Sequence, residues 1–366
     1  MILFLLISIP LFLLIIVAGY NLLTNPLFKS SKFDSINPPL VSVLIPARNE
    51  EDNISKCVKS ILDQTYTNIE IIVLDDNSTD KTYEIASKLL PGVKNYKLLT
   101  GKPLPENFLG KNWACHQLAE NANGQFLLFI DADVALHKDC IESSLKYFNS
   151  DKTDVLTIFP TQKIKSTGEW LVVPLMNWIL LLLLPLNLVF KSRNKSFIAA
   201  NGQFFMWRRF VYDKTGGHQS ASTELVEDMF LASKAKQLNF RVMTLLGGDL
   251  VNCRMYKGLL ESINGFSKNF YPGFRMPAFL FAVFILVIFL LNVLPFIFVF
   301  VNEMYFIPIL MIICSRAFIS ILSKQNATVN IILHPLQMLF MFITGIYSMV
   351  IFHNKNIVWK GRKVLS

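Results

Sequence analysis

Charge is scarce in this chain. Only 17% of the 366 residues are Asp, Glu, Lys or Arg, against 52% hydrophobic, and the mean hydropathy is +0.43. That balance excludes an ordinary soluble enzyme. Cysteine is scarce as well. Cys57, Cys115, Cys140, Cys253 and Cys314 show no CxxC spacing, so neither a zinc site nor a disulfide framework is indicated, which suits a reducing compartment. Arginine-rich blocks are missing. The net charge is +9, but the Lys and Arg are scattered, which speaks for a membrane surface and against a nucleic-acid partner.

Apolar sequence, by contrast, comes in long runs. Residues 1–23 carry no charge, residues 276–302 and 304–314 are almost continuously apolar, and 329–352 form a further run. A bilayer core takes about 20 such residues per helix. The chain therefore reads as an integral membrane protein with a polar middle. The N-terminal run lacks a basic flank and exceeds a signal-peptide core, so residues 1–25 read as a retained anchor. C-terminal transmembrane helices are expected over 276–352, followed by a basic tail, 353–366. One anchor and three further spans would put that tail outside, against the positive-inside rule. Two resolutions stand open: the segment at 304–323, with Pro308 and Arg316, stops short of crossing, or the last one, opened by His334-Pro335, is re-entrant.

The polar middle alternates strand and helix patterns. Strands are expected at 40–46, 69–74, 96–99 and 125–130. A helix after the first strand presents Ile54, Cys57, Val58, Ile61 and Leu62 on one face. Ser78, Thr79 and Asp80 suit the cap of a helix running to about residue 89. The pattern predicts an α/β domain with a mostly parallel central sheet and helices on both faces. Ligands of such sheets bind beyond the carboxyl ends of the strands. Residues 170–190 could span by length, but Pro174, Asn177, Pro185 and Asn187 interrupt them, and they read as helices lying in the interface.

The polar clusters follow the strands. Asp131 and Asp133 alternate past the end of an apolar strand, so their carboxylates share a face. Such a pair suits Mg²⁺ or Mn²⁺ completed by substrate phosphates; the bland reading is a turn or a cap. Asp75 and Asp76 end the second strand, one to touch a base or ribose, the other free to cap. Glu50 follows the first strand and either faces ligand or favours a helix N-terminus. Glu227-Asp228 opens an amphipathic helix, with Met229, Leu231, Ala232, Ala235 and Leu238 partly inward. The pair serves the helix dipole, or Asp228 is a general base.

In this order, "VSVLIPARNEE", "VLDDNSTDKT", "IDADV" and "VED" resemble the successive signatures of the family-2 glycosyltransferases, whose domain has the GT-A fold. The likeness covers about residues 40–270 and places the domain at 38–270. It implies that Pro46, Ala47, Arg48, Glu50, Asp75 and Asp76 border a nucleotide sugar, that Asp131 and Asp133 hold the metal, that Asp228 beside Glu227 is the base, and that transfer inverts the sugar carbon. Processive members carry Gln-x-x-Arg-Trp after the acidic pair; here "CRMYKGLLESINGFSKNF" stands instead, which argues against a polysaccharide synthase and for single transfer to a lipid. "GKNWACHQLA", "TGGHQSA", "HPLQMLFMF" and "VWKGRKV" narrow the resemblance to the glycosyltransferases of staphyloxanthin-type carotenoid synthesis, and in part to hopanoid-associated ones. The implied donor is UDP-glucose and the implied acceptor the carboxylate of 4,4'-diaponeurosporenoate, with a hopanoid, glycolipid or polyprenyl acceptor as rivals. The implied setting is the cell membrane, with the domain in the cytosol.

Weaker marks remain. Lys111, in a Gly-Lys loop, either neutralises phosphate or is solvated. Arg254 is a bidentate partner for a diphosphate or carboxylate, or a headgroup contact. His218 lines the acceptor site or is an exposed loop residue. Trp113, Trp170 and Trp207 are expected as interfacial anchors.

Overall fold

A computed structural model describes residues 1–89 and 94–363. Val364, in the last of the quoted motifs, and the end of the basic tail lie outside the described residues. The chain divides into two compact units. A sheet unit comprises Leu27–Thr161 and Leu188–Cys253, and a helical unit comprises Met1–Pro26, Gln162–Asn187 and Arg254–Ser366.

The sheet unit is built on β1 (Val41–Ala47), β2 (Ile69–Asp75), β3 (Tyr96–Thr100), β4 (Phe126–Ile130), β5 (Val134–Leu136), β6 (Val155–Phe159), β7 (Thr161–Gln162), β8 (Phe204–Arg208), β9 (Val242–Leu246) and β10 (Val251–Cys253). Seven of these form the main sheet in the order β3-β2-β1-β4-β8-β6-β9, and β5-β10-β7 form a small second sheet. In the main sheet β8 alone is antiparallel, pairing with β4 and β6, while the other pairs are parallel. Val41, Val43, Leu44 and Ile45 are wholly buried, which is why β1 reads as a continuous apolar run rather than an alternating one. Each such side chain contributes roughly 1.5–3 kcal/mol. The helix Ile54–Leu62 buries Ile54, Cys57, Val58 and Ile61. Leu62, expected on that face, is exposed at the helix end.

Strand order decides where a ligand can sit. The chain lays down β1, β2 and β3 outward, then returns to place β4 on the other side of β1. The order reverses between β1 and β4, and the crevice beyond their carboxyl ends is the switch point. At the opposite end Glu70 is buried. It accepts from Ser42 Oγ and from the Asn123 backbone and side chain, and Gly124 N donates to Ser42 Oγ. This network fastens β1 and β2 to the entry of β4.

Four helices of the helical unit are long and apolar enough to cross a membrane among the described residues: Ile2–Thr24, Ala278–Phe298, Glu303–Leu322 and His334–His353. The segment 170–190 is broken up. Thr167–Val172 and Pro174–Leu183 have 6 and 10 residues, each too short to span. Asn21 holds the end of the second. Its Nδ2 donates to the Leu181 and Leu184 carbonyls at 2.8 Å, and its Oδ1 accepts from Leu186 N, satisfying groups that a helix end leaves orphaned. The last apolar run is also interrupted. A short helix, Ala327–Ile332, ends before His334-Pro335 opens the final one.

Candidate active site

The switch point is lined by the loops that follow β1, β2 and β4. Arg48 Nη1 donates to the Asp76 and Asn77 carbonyls. Asn49 N donates to Ser78 Oγ, and Asn49 Oδ1 accepts from Thr79 N. Ser78 and Thr79 therefore tie two loops together instead of capping a helix. Asp80 takes the cap-like role, accepting from Thr82 N at 2.9 Å. Pro46 and Ala47 lie at the end of β1, where the Ala47 carbonyl accepts from Asp76 N. Asp75 is 5% exposed. One of its oxygens accepts from Ser78 N, and the other is buried with no hydrogen-bond partner.

Asp131 and Asp133 stand just past β4. Lys111 Nζ reaches both oxygens of Asp131, at 2.9 and 3.0 Å, and Glu227 Oε1 at 3.3 Å. Burial opposes its charge, but Asp131 and Glu227 hold Lys111 protonated well above the ordinary lysine range. It is a paired residue at the start of the helix Gly110–Glu120, not a solvated loop lysine. Asp133 is pushed up to about 7 by burial and by the charges of Asp131 and Glu50. Glu50 thus faces the aspartate pair, while its Oε2 also accepts from Asn53 Nδ2.

Glu227 and Asp228 open the helix Glu227–Gln237, of which Leu231, Ala232 and Ala235 are buried while Leu238 is exposed. Asp228 accepts from Gly202 N at 2.8 Å and from Met229 N at 2.7 Å. Burial and the neighbouring Glu227 raise it to about 7. Gly202 is the residue on which this end of the site closes. A Cβ there would stand 3.2 Å from Lys111 Nζ and 3.3 Å from Glu227 Oε1.

Sequence reasoning passed over Gly202 and its neighbour Gln203. Gln203 Nε2 lies 3.4 Å from Asp133 and donates to Cys253 Sγ. Their signal was legible: Asn201-Gly202-Gln203 is a polar triplet between Ala199-Ala200 and Phe204-Phe205. Two cysteines were missed as well. Cys57 Sγ donates to the Asp131 carbonyl, and Cys253 hydrogen-bonds Asp133. Burial and nearby carboxylates push both thiols far above their ordinary range, so they act as neutral packing and not as nucleophiles.

Other expected residues lie elsewhere. Arg254 belongs to the helical unit, where its Nη2 donates to Glu169 at 2.8 Å. Burial would raise Glu169, but Arg254 and backbone donors hold it at about 2. His218 is not an exposed loop residue. It is buried, and its Nδ1 lies 2.8 Å from Tyr212 Oη. Trp207 is no interfacial anchor, because it is fully buried on β8 against Phe205 and Tyr212. Trp113 packs on Phe108 and donates to the Lys102 carbonyl, and the Trp170 carbonyl accepts from Gln337.

The chemistry of the donor set suits a divalent cation. Asp131 already grips a cationic group with both oxygens, and like charge raises Asp133; a cation relieves that repulsion. Among the described residues no group of three or more His, Cys, Asp or Glu encloses an ion. A pair of carboxylates would leave the rest of such a cation's shell to substrate oxygens and water.

Residues 42–216 match the family model described as glycosyl transferase family 2. These residues belong to glycosyltransferase family 2. Two relatives, both named 4,4'-diaponeurosporenoate glycosyltransferase, are 29% identical to this chain. The Staphylococcus haemolyticus protein aligns over 236 residues, 64% of this chain and 61% of its own length. The Staphylococcus aureus protein aligns over 245 residues, 65% and 63%. The chain thus spans about three fifths of the length of these relatives. A solved mannosyltransferase from Pyrobaculum calidifontis, in complex with GDP-Man and Mn2+, superposes with a TM-score of 0.51 at 15% identity, covering 98% of this chain and 100% of that one. This likeness establishes the family-2 domain as GT-A in fold.

Proposed function

We propose that the chain moves a hexose, glucose from UDP-glucose, onto a lipid acceptor held in the membrane, with inversion at the sugar carbon. The observation that carries this reading is the gathering of Glu50, Asp131, Asp133, Glu227 and Asp228 around Lys111 at the switch point of the sheet. Five carboxylates with one cation between them is an arrangement that a nucleotide diphosphate and a divalent ion complete. When bound, Mg²⁺ or Mn²⁺ at Asp131 and Asp133 would supply positive charge to the departing diphosphate. Lys111, held beside Asp131 and Glu227, would add a second positive charge for the diphosphate. The unpartnered oxygen of Asp75 is available to a donor on the base or ribose.

The relatives' name supports a carotenoid carboxylate as acceptor. In that transfer the bond between sugar C1 and the diphosphate oxygen breaks, and its electron pair leaves with the nucleotide diphosphate. A carboxylate oxygen forms the new bond to C1, and no proton moves. Asp228 then orients the acceptor side through Gly202. With a hydroxyl acceptor, its ionised form would take the proton. The four long apolar helices and five free cysteines support a multi-pass cell-membrane protein with a cytosolic sheet unit.

The test is incubation of membranes carrying this protein with radiolabelled UDP-glucose, Mg²⁺ or Mn²⁺ and extracted carotenoid acid, beside an Asp133→Ala control. An alkali-labile labelled ester that vanishes in the control is the expected result. Label entering a different lipid overturns the acceptor, and no transfer from any nucleotide sugar overturns the reading.

A further inference from the structure

The helical unit buries a cation with no carboxylate beside it. Arg316, on Glu303–Leu322, is 1% exposed, and no ion pair to it exists among the described residues. Its Nε donates to His334 Nδ1 at 2.7 Å, and its guanidinium stacks 4.9 Å from the Trp178 ring centroid. Its Nη2 is buried and makes no hydrogen bond. Because His334 Nδ1 accepts, the ring proton is on Nε2. That nitrogen is also buried without a hydrogen bond of good geometry, with the Asn292 carbonyl only a loose neighbour. Trp178 Nε1–H is the third buried donor without an acceptor, and the Trp178 and His334 rings lie 6.1 Å apart.

Three buried N–H-bearing side chains on three helices, one of them cationic, thus lie against one another, and Arg316 Nη2 and Trp178 Nε1 have no acceptor. An unmade hydrogen bond on a buried charged group is costly. Ionisable residues inside membrane helices pair with something or mark a site. We propose that Arg316, His334 and Trp178 form an oxyanion site for the head group of an amphiphile dissolved in the membrane. The planar guanidinium fork selects a carboxylate or phosphate, and the helices that carry it are apolar, as the chain of an amphiphile is. The oxyanion has two sources: a carboxylate-headed acceptor of the proposed transfer, or an anionic phospholipid retained by the protein. The first rests on the transfer reading; the second stands without it.

The test uses the full chain purified in a non-ionic detergent. Quenching of tryptophan fluorescence is titrated with retinoic acid, and native mass spectrometry follows retention of phosphatidylglycerol; retinol and phosphatidylcholine are the neutral controls. Wild type should bind one of the anions at least about tenfold more tightly than its neutral control, and Arg316→Met should abolish that preference. Trp178→Phe, which keeps the ring and removes the donor, should weaken it and guards against misfolding of the arginine variant. Preference for retinoate alone identifies an acceptor-type carboxylate, and preference for phosphatidylglycerol alone identifies a bound lipid. Equal binding of charged and neutral amphiphiles, or a preference unchanged in both variants, overturns the proposal. Release of UDP from the donor, measured on the same samples, reports separately on the transferase reading.

Discussion

Both ends of the main sheet bury carboxylates, and the two ends treat them in opposite ways. At the amino end Glu70 is surrounded by donors from Ser42 and Asn123, with Lys97 3.8 Å away. Burial alone would raise it, but these groups hold it below the ordinary glutamate value. At the carboxyl end Asp133 and Asp228 are raised to about 7 by burial and by like charges. One end is finished by the protein itself. The other carries more negative charge than its own residues neutralise, and folding holds it in that state. A carboxylate's surroundings, more than its burial, separate a structural site from one built to receive a ligand.

The comparison can be broken from either side. Asp133→Asn should lower transfer by roughly a thousandfold while leaving the thermal midpoint unchanged or higher, as labelled-product assays and calorimetry would register together. Glu70→Ala should do the reverse. It leaves buried donors unpaired and should cost about 2–3 kcal/mol in denaturant titrations, with activity per folded molecule retained. Gly202→Ala brings a methyl against Lys111 and Glu227 and should lower kcat by about ten- to a hundredfold, with the fold intact by circular dichroism.

The smallest effects are those of pH, and their signs differ between the ends. The raised pKa of Asp228 gives stability that is full below 3.8 and is lost as pH rises to about 7. Asp228→Asn should therefore melt above wild type at pH 8 and level with it near pH 3. Glu70, lowered from 4.5, contributes above that value and loses its contribution as pH falls. Glu70→Gln should melt below wild type at pH 8 and converge with it in acid. Parallel behaviour of the two variants would erase the distinction.

Much of the sheet was legible because its strands are buried on both faces and ended by turn chemistry. Val41–Ala47, Ile69–Asp75 and Phe126–Ile130 lie within a residue of their expected bounds. β8 was not anticipated, because an antiparallel strand between two parallel neighbours has no separate signature in the chain. Asp131, Asp133 and Glu50 converge because each follows a strand that the fold brings to one crevice. Trp207 was misjudged, and Lys111 stood open between two readings, for one reason: a lone Lys in a Gly-rich stretch and a lone Trp look exposed until their long-range partners are known. Gly202 escaped because a glycine's role in a site is the space it leaves, and only its neighbours reveal that space.

The division of the chain into interleaved pieces governs how it can be made. The polypeptide passes between the two units at 26/27, 161/162, 187/188 and 253/254, four times in all. In chain order β4 precedes β8, which fills the place beside it in the sheet. The catalytic sheet cannot close until residues beyond the apolar stretch 162–187 have emerged. Closure of the sheet and emergence of the apolar helical segments are therefore interleaved along the chain.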